Sequence, residues 1–145
     1  MQLVITSGEG ASGALIRWWT WSWAAHAGFV LDDGTILDAT PSLGVAIHDM
    51  VAGRVVRRYA VRCPSGVAED AVEWARRQIG DPYDWSAIYG MAWREDWHAP
   101  GKWFCSELVA RAFEVVRFPL ICSAEMDRVT PRDLLLSPYL REIGG

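Results

Sequence analysis

Trp103-Phe104-Cys105-Ser106-Glu107-Leu108-Val109 sets a cysteine where a loop turns into an amphipathic helix. From Cys105 the apolar positions run Leu108, Val109, Ala112, Phe113 and Val116, a spacing that fills one face of a helix. A thiol in the first turn meets unpaired backbone N–H groups and the positive end of the helix dipole, and both favour thiolate. Thiolate is the nucleophilic form. The same position also suits a small buried hydrophobe with no chemistry, the commoner state of a free cysteine on an apolar helix face. The rest of the chain decides between these readings.

Upstream, Ala25-His26-Ala27-Gly28 places a histidine among small residues at the start of an apolar run that reads as a strand. His26 to Leu31 and Thr35 to Ala39 are expected to pair as a hairpin across Asp32-Asp33-Gly34, a type I turn closed by a left-handed glycine. That loop sets Leu31 opposite Thr35 and Gly28 opposite Asp38. Period-two alternation then puts His26 and Asp38 on one face as diagonal neighbours. Cysteine acyl transfer needs a thiolate, an imidazole to hold and return a proton, and a group that fixes the imidazole's tautomer. Cys105, His26 and Asp38 can fill these roles, with the Cys105 backbone N–H as an oxyanion donor. His48, at a strand end, and His98, beside Pro100, are rival bases that solvation alone would explain. Asp38 would otherwise be a strand-end residue capping the turn at Thr40-Pro41.

Composition narrows the function. A chain of 145 residues that is 51% hydrophobic and 22% charged reads as one globular domain, residues 1–145, with a real core. A net charge of −4 argues against nucleic acid as a partner. No apolar run reaches the length of a transmembrane segment, and Met1 to Thr6 lacks the basic start of a secretion signal, so the expected location is cytoplasmic. Cys63, Cys105 and Cys122 are three widely spaced cysteines, which suits free thiols better than a disulfide framework. Without a C-x-x-C or H-x-x-x-H pair, no metal and no other cofactor is expected. Nine tryptophans are unusual, and Trp18, Trp19, Trp21 and Trp23 crowd one segment. Core packing is the favoured explanation; a groove or a membrane interface is the other.

The remaining elements follow from periodicity and caps. Leu3 to Thr6 reads as a strand, and Ser12 is expected to cap a helix through Leu15, Ile16 and Trp19. Gly44 to His48 and Val55 to Arg62 read as strands. Ser65 should cap a helix whose apolar face holds Ala68, Ala71, Val72, Ala75 and Ile79, ended by Gly80 and Pro82. Residues 84 to 103 read as irregular, with one helical turn started by Asp84. Thr130-Pro131 opens a short helix through Leu134 and Leu135, stopped by Pro138.

Gly80-Asp81-Pro82-Tyr83-Asp84-Trp85, followed by the Cys105 element, resembles the NlpC/P60 cysteine peptidases, where a helix ending in G-x-P-Y-x-W precedes a nucleophile in a C-S-x-x-x helix. In those proteins the histidine follows the cysteine. Here Thr20-Trp21-Ser22-Trp23-Ala24-Ala25-His26-Ala27-Gly28 and Ile36-Leu37-Asp38-Ala39 come first. That order is similar to the circularly permuted branch of YaeF/YiiX-type papain-like amidases and lecithin:retinol acyltransferase-like proteins. The resemblance runs from about Ser12 to Leu135. It implies an α+β, circularly permuted papain-like fold, with a central antiparallel sheet packed against helices and the nucleophile at a helix N-terminus. It also implies catalytic roles for Cys105, His26 and Asp38. Many members of this branch carry Glu or His where Asp38 stands. Tyr83 matches a tyrosine bordering the active site, implying substrate binding; packing after Pro82 is its other reading. The expected activity is cleavage of an amide, as a peptide or isopeptide bond in a cell-wall-type substrate, through a thioester. A lipid acyltransferase or thioesterase acting on an acyl substrate is the second expectation, and a catalytically idle binding module the third. The oligomeric state is not legible.

Overall fold

Leu3, Val4 and Ile5 are all fully buried, so the first strand is covered on both faces. Such a continuous apolar run belongs in the interior of a sheet. In the computed structural model, which describes residues 1–8, 10–49, 56–88, 101–122 and 129–144, β1 (Gln2–Thr6) lies between two strands. With β2 (His26–Val30), β3 (Ile36–Thr40), β4 (Gly44–His48), β5 (Val56–Val61) and β6 (Leu140–Gly144) it forms a six-stranded antiparallel sheet. The order is β4-β3-β2-β1-β5-β6. Together with helices α1 (Gly10–Thr20), α2 (Val67–Arg76), α3 (Cys105–Val115) and α4 (Pro131–Leu134), this makes an α+β fold.

Alternation divides the sheet. Leu3, Ile5, Ala27, Phe29, Leu37, Ala39 and Val45 join the core with Leu108, Val109, Ala112 and Phe113 of α3, and Phe29 stacks on Phe113 at 6.2 Å. Helix α2 packs beside α3 through Ala68, Ala71, Val72 and Ala75. The other register set, Thr6, His26, Gly28, Asp38 and His48 among them, carries the polar groups. The β2–β3 hairpin has the expected register: Phe29 pairs with Leu37 and Val30 with Ile36, and Leu31 N–H donates to Thr35 O at 2.9 Å. Gly34 is left-handed, with φ 86°.

Several local expectations are corrected. Helix α1 starts at Gly10, so Ser12 lies in its first turn and does not cap it. The residue capping α2 is the left-handed Gly66, not Ser65, and the helix stops at Arg76, leaving Ile79 45% exposed. Strand β6 has no apolar alternation; it is an exposed edge added by backbone pairing, with an Arg57–Glu142 ion pair across to β5. Only half of the tryptophan cluster is packing. Trp19 and Trp23 lean on the core, whereas Trp18 is 68% exposed, because α1 buries Gly13, Ile16 and Thr20 instead, and Trp21, in the left-handed turn after the helix (φ 50°), is 88% exposed.

One glycine couples the sheet to the segment before α3. Gly44 has φ 67°, and a Cβ there would stand 2.3 Å from the Asp81 carbonyl oxygen. That oxygen accepts from Val45 N–H at 2.9 Å, and Gly80 N–H donates to Val45 O at 3.0 Å. Gly44→Ala therefore meets left-handed strain and a backbone clash together, a cost of about 2–4 kcal/mol. Thermal unfolding should show Tm lower by roughly 5–15 °C; a variant within about 2 °C of wild type would contradict the close approach.

Candidate active site

Cys105 is the first residue of α3, after an extended Phe104 (φ −86°, ψ 150°), so its N–H is one of the donors left without a partner within the helix. Glu107 Oε2 accepts from Phe104 N–H at 3.4 Å, and Ser106 Oγ donates to Val129 O at 2.5 Å; these bonds fix the helix start. The two segments quoted above for the resemblance are joined in space. Tyr83 and Trp103 form a parallel bridge, Trp103 N–H donates to Pro82 O, and Asp84 N–H donates to Trp103 O, both at 3.1 Å. Trp103 Nε1 donates to Asp81 Oδ2 at 2.9 Å. Residues 85–88 are helical, and Asp84 Oδ1 accepts from Ser86 N–H at 2.9 Å, the turn expected of Asp84.

His26 opens β2, and its Nε2 lies 2.6 Å from Asp38 Oδ2. Asp38 is ionised and can only accept, so Nε2 carries the proton and Nδ1 is left for another partner. Cys105 is near enough for its charge to act on the same ring. Burial alone would lower the pKa of His26. The Cys105 charge and the hydrogen bond to Asp38 outweigh it and push the imidazole up to about 10. The Asp38 side chain is 2% exposed. Burial raises its pKa, but donors from His26 and His48 more than compensate and hold it below the ordinary value. Tyr83 is buried, and burial, then the charges of Cys105 and Asp84, hold its phenol far above the usual range. Its O–H therefore stays a neutral donor.

His48, a rival base in the sequence, instead joins the site as a second partner of Asp38. Its Nε2 lies 2.8 Å from Asp38 Oδ1, so one carboxylate is shared by two rings. The register was there to be read: Thr40 pairs with Gly44, hence Ile36 with His48, on Asp38's face. His98 lies outside the described residues.

A cleft of about 540 Å³ runs over this polar face and is lined by His26, Asp38, His48 and Tyr83, with Gly8, Gly13 and Ile16 at one end. Cys105 is 1% exposed.

The charges set a pH dependence for stability. His26 is raised, so its contribution is complete below about 6.5 and is lost as pH rises through about 10. Asp38 is lowered, so its contribution is present above about 3.8 and is lost on acidification. Urea midpoints should fall on both sides of that window and flatten in Asp38→Asn. A midpoint that climbs steadily from pH 6.5 to 10 would contradict the assignment.

No family model matches the chain, and no curated protein matches it. A solved structure does: the crystal structure of the metalloprotein YiiX from Escherichia coli O157:H7, with a TM-score of 0.76 at 15% identity. The match covers 99% of this chain and 94% of that one. The chain shares its fold with YiiX. Among the described residues no helix is long and apolar enough to cross a membrane.

Proposed function

We propose that this chain is a cysteine hydrolase of the circularly permuted NlpC/P60 branch, with a permuted papain-like fold and Cys105 as nucleophile. The observation that carries the proposal is a histidine fixed by one ring nitrogen 2.6 Å from a buried carboxylate, with a buried cysteine at a helix start near enough for its charge to act on the same ring. The Cys105 thiolate attacks the carbonyl carbon of an amide, and the oxyanion is met by the Cys105 N–H, with Tyr83 O–H as a second donor. Imidazolium His26 protonates the departing amine, leaving a thioester. His26 then takes a proton from water, hydroxide adds to the thioester carbon, and collapse releases the acid and the thiolate. Asp38 holds the tautomer and stabilises the imidazolium without taking the proton.

YiiX is described as a metalloprotein, and the residues of this site do not suit a metal ion. His26 Nε2 and both nitrogens of His48 already face oxygen partners. Among the described residues no group of three His, Cys, Asp or Glu side chains is arranged as a ligand set. The steps above run through the protein's own side chains.

The cleft lining favours a second reading, an acyltransferase or thioesterase for lipid acyl groups. Its described lining holds no Arg or Lys to pair with a peptide carboxylate, and Val4, Ile16, Ile36, Leu43 and Val56 make much of it apolar. p-Nitrophenyl acetate and p-nitrophenyl decanoate separate the readings. Both should acylate Cys105, detected by mass spectrometry of the Cys105 peptide. Equal rates support the amide hydrolase, and a decanoate rate about tenfold higher supports the acyl reading, as expected for a slot that buries methylenes. An unlabelled Cys105 with both would leave only a binding module.

A further inference from the structure

We infer that His48 is a positioning residue of this site, an imidazolium that clamps the Asp38 carboxylate from the side opposite His26; the inference rests on the nucleophile reading above. Both nitrogens of His48 face atoms that can only accept. Nε2 meets Asp38 Oδ1 at 2.8 Å, and Nδ1 meets the Asp49 carbonyl oxygen at 2.9 Å. A neutral ring has one N–H and satisfies one of them; satisfying both takes the doubly protonated ring. The Asp38 bond, larger than the opposing effect of burial, favours that cation, and the Asp49 carbonyl adds to it. His26, across the shared carboxylate, opposes it.

The geometry gives the clamp a purpose. Asp38 stands on a strand opposite Gly28, which brings no side chain of its own to hold the carboxylate. A Cβ at Gly28 would come within 3.0 Å of the Asp38 Cβ, so the position must stay bare. With His26 as its only partner, the carboxylate could turn about its side-chain bonds and take the imidazole with it. The second ring, from β4, pins the second oxygen. The charges also balance along the row: thiolate Cys105, imidazolium His26, carboxylate Asp38 and imidazolium His48 sum to zero. The buried carboxylate is thus neutralised in either state of the Cys105–His26 pair.

Two measurements test this. Nitrogen-15 spectra of the imidazoles at about pH 7 should show His48 with both nitrogens protonated. A ring with one bare nitrogen at that pH overturns the clamp. Second, alkylation of Cys105 by iodoacetamide should slow about tenfold in His48→Ala, as expected when a supporting group loses its geometry. It should recover most of the loss in His48→Gln, whose amide reaches Asp38 as a donor. A folded His48→Ala protein with the wild-type rate overturns the inference, as does a Gln variant as slow as Ala. If His48→Ala does not fold, the Gln variant and the nitrogen-15 spectra still decide it. A wild-type Cys105 no more reactive than Cys63 overturns the nucleophile reading itself. A reactive Cys105 that is indifferent to His48 overturns only the clamp.

Discussion

Cys105→Ala should end acyl-enzyme formation with p-nitrophenyl acetate, and His26→Ala should slow it by roughly a hundredfold to ten-thousandfold. The two effects come from one machine. His26 couples to both partners: its pKa is pushed up to about 10 by the Cys105 charge and the Asp38 bond against the opposing effect of burial. The double variant should therefore be no slower than Cys105→Ala alone, because groups that act as a unit do not add. Single-turnover release of p-nitrophenolate measures all three. A Cys105→Ala protein that still gives a stoichiometric burst would place the nucleophile elsewhere.

The second large effect belongs to Asp38. Removing the carboxylate in Asp38→Ala strips the partner from two rings at once, His26 at 2.6 Å and His48 at 2.8 Å. Breaking a buried charge pair from one side costs about 3–5 kcal/mol. The side chains of His26 and His48 are 21% and 23% exposed, so water recovers part of that and a loss nearer 2–3 kcal/mol is expected. Asp38→Asn keeps the shape and can accept through its amide oxygen, so it should lose less stability while still slowing acylation by two to four orders of magnitude, since charge and tautomer control are gone. Urea unfolding and the p-nitrophenolate assay read the two variants side by side. An Asn variant as active as wild type would remove Asp38 from the account.

The sequence was most legible where one rule acts alone. The α3 face from Cys105 to Phe113 follows from 3.6-residue periodicity, and the β2–β3 register follows from the three-residue turn at Asp32-Asp33-Gly34. Illegible features were those set by tertiary pairing. Strand β6 is an exposed edge whose Arg141 and Glu142 carry no apolar signal, so only pairing to β5 reveals it. The α2 start is carried by the backbone freedom of Gly66, while Ser65 next to it offered the stronger capping signal. His48's place beside Asp38 follows from pairing Thr40 with Gly44, a register no three-residue turn announces in the way Asp32-Asp33-Gly34 does. The exposure of Trp18 and Trp21 could not be read at all. The adjacent Trp18 and Trp19 of α1 do not announce which side meets the sheet, and here Gly13, Ile16 and Thr20 are buried; Trp21 follows the helix in a left-handed turn that no periodicity signals.

If Cys105 is the nucleophile, His26 makes it the most reactive thiol of the folded chain. Exposure ranks the thiols the opposite way: Cys122 is exposed, Cys63 intermediate and Cys105 buried. Competitive alkylation with limiting iodoacetamide near pH 6.5, read by peptide mass spectrometry of the folded protein, tests charge against access. Cys105 should be modified first, at least about tenfold faster than either other cysteine, with that lead lost in His26→Ala. Labelling in the order Cys122, Cys63, Cys105, unchanged by His26→Ala, would contradict it.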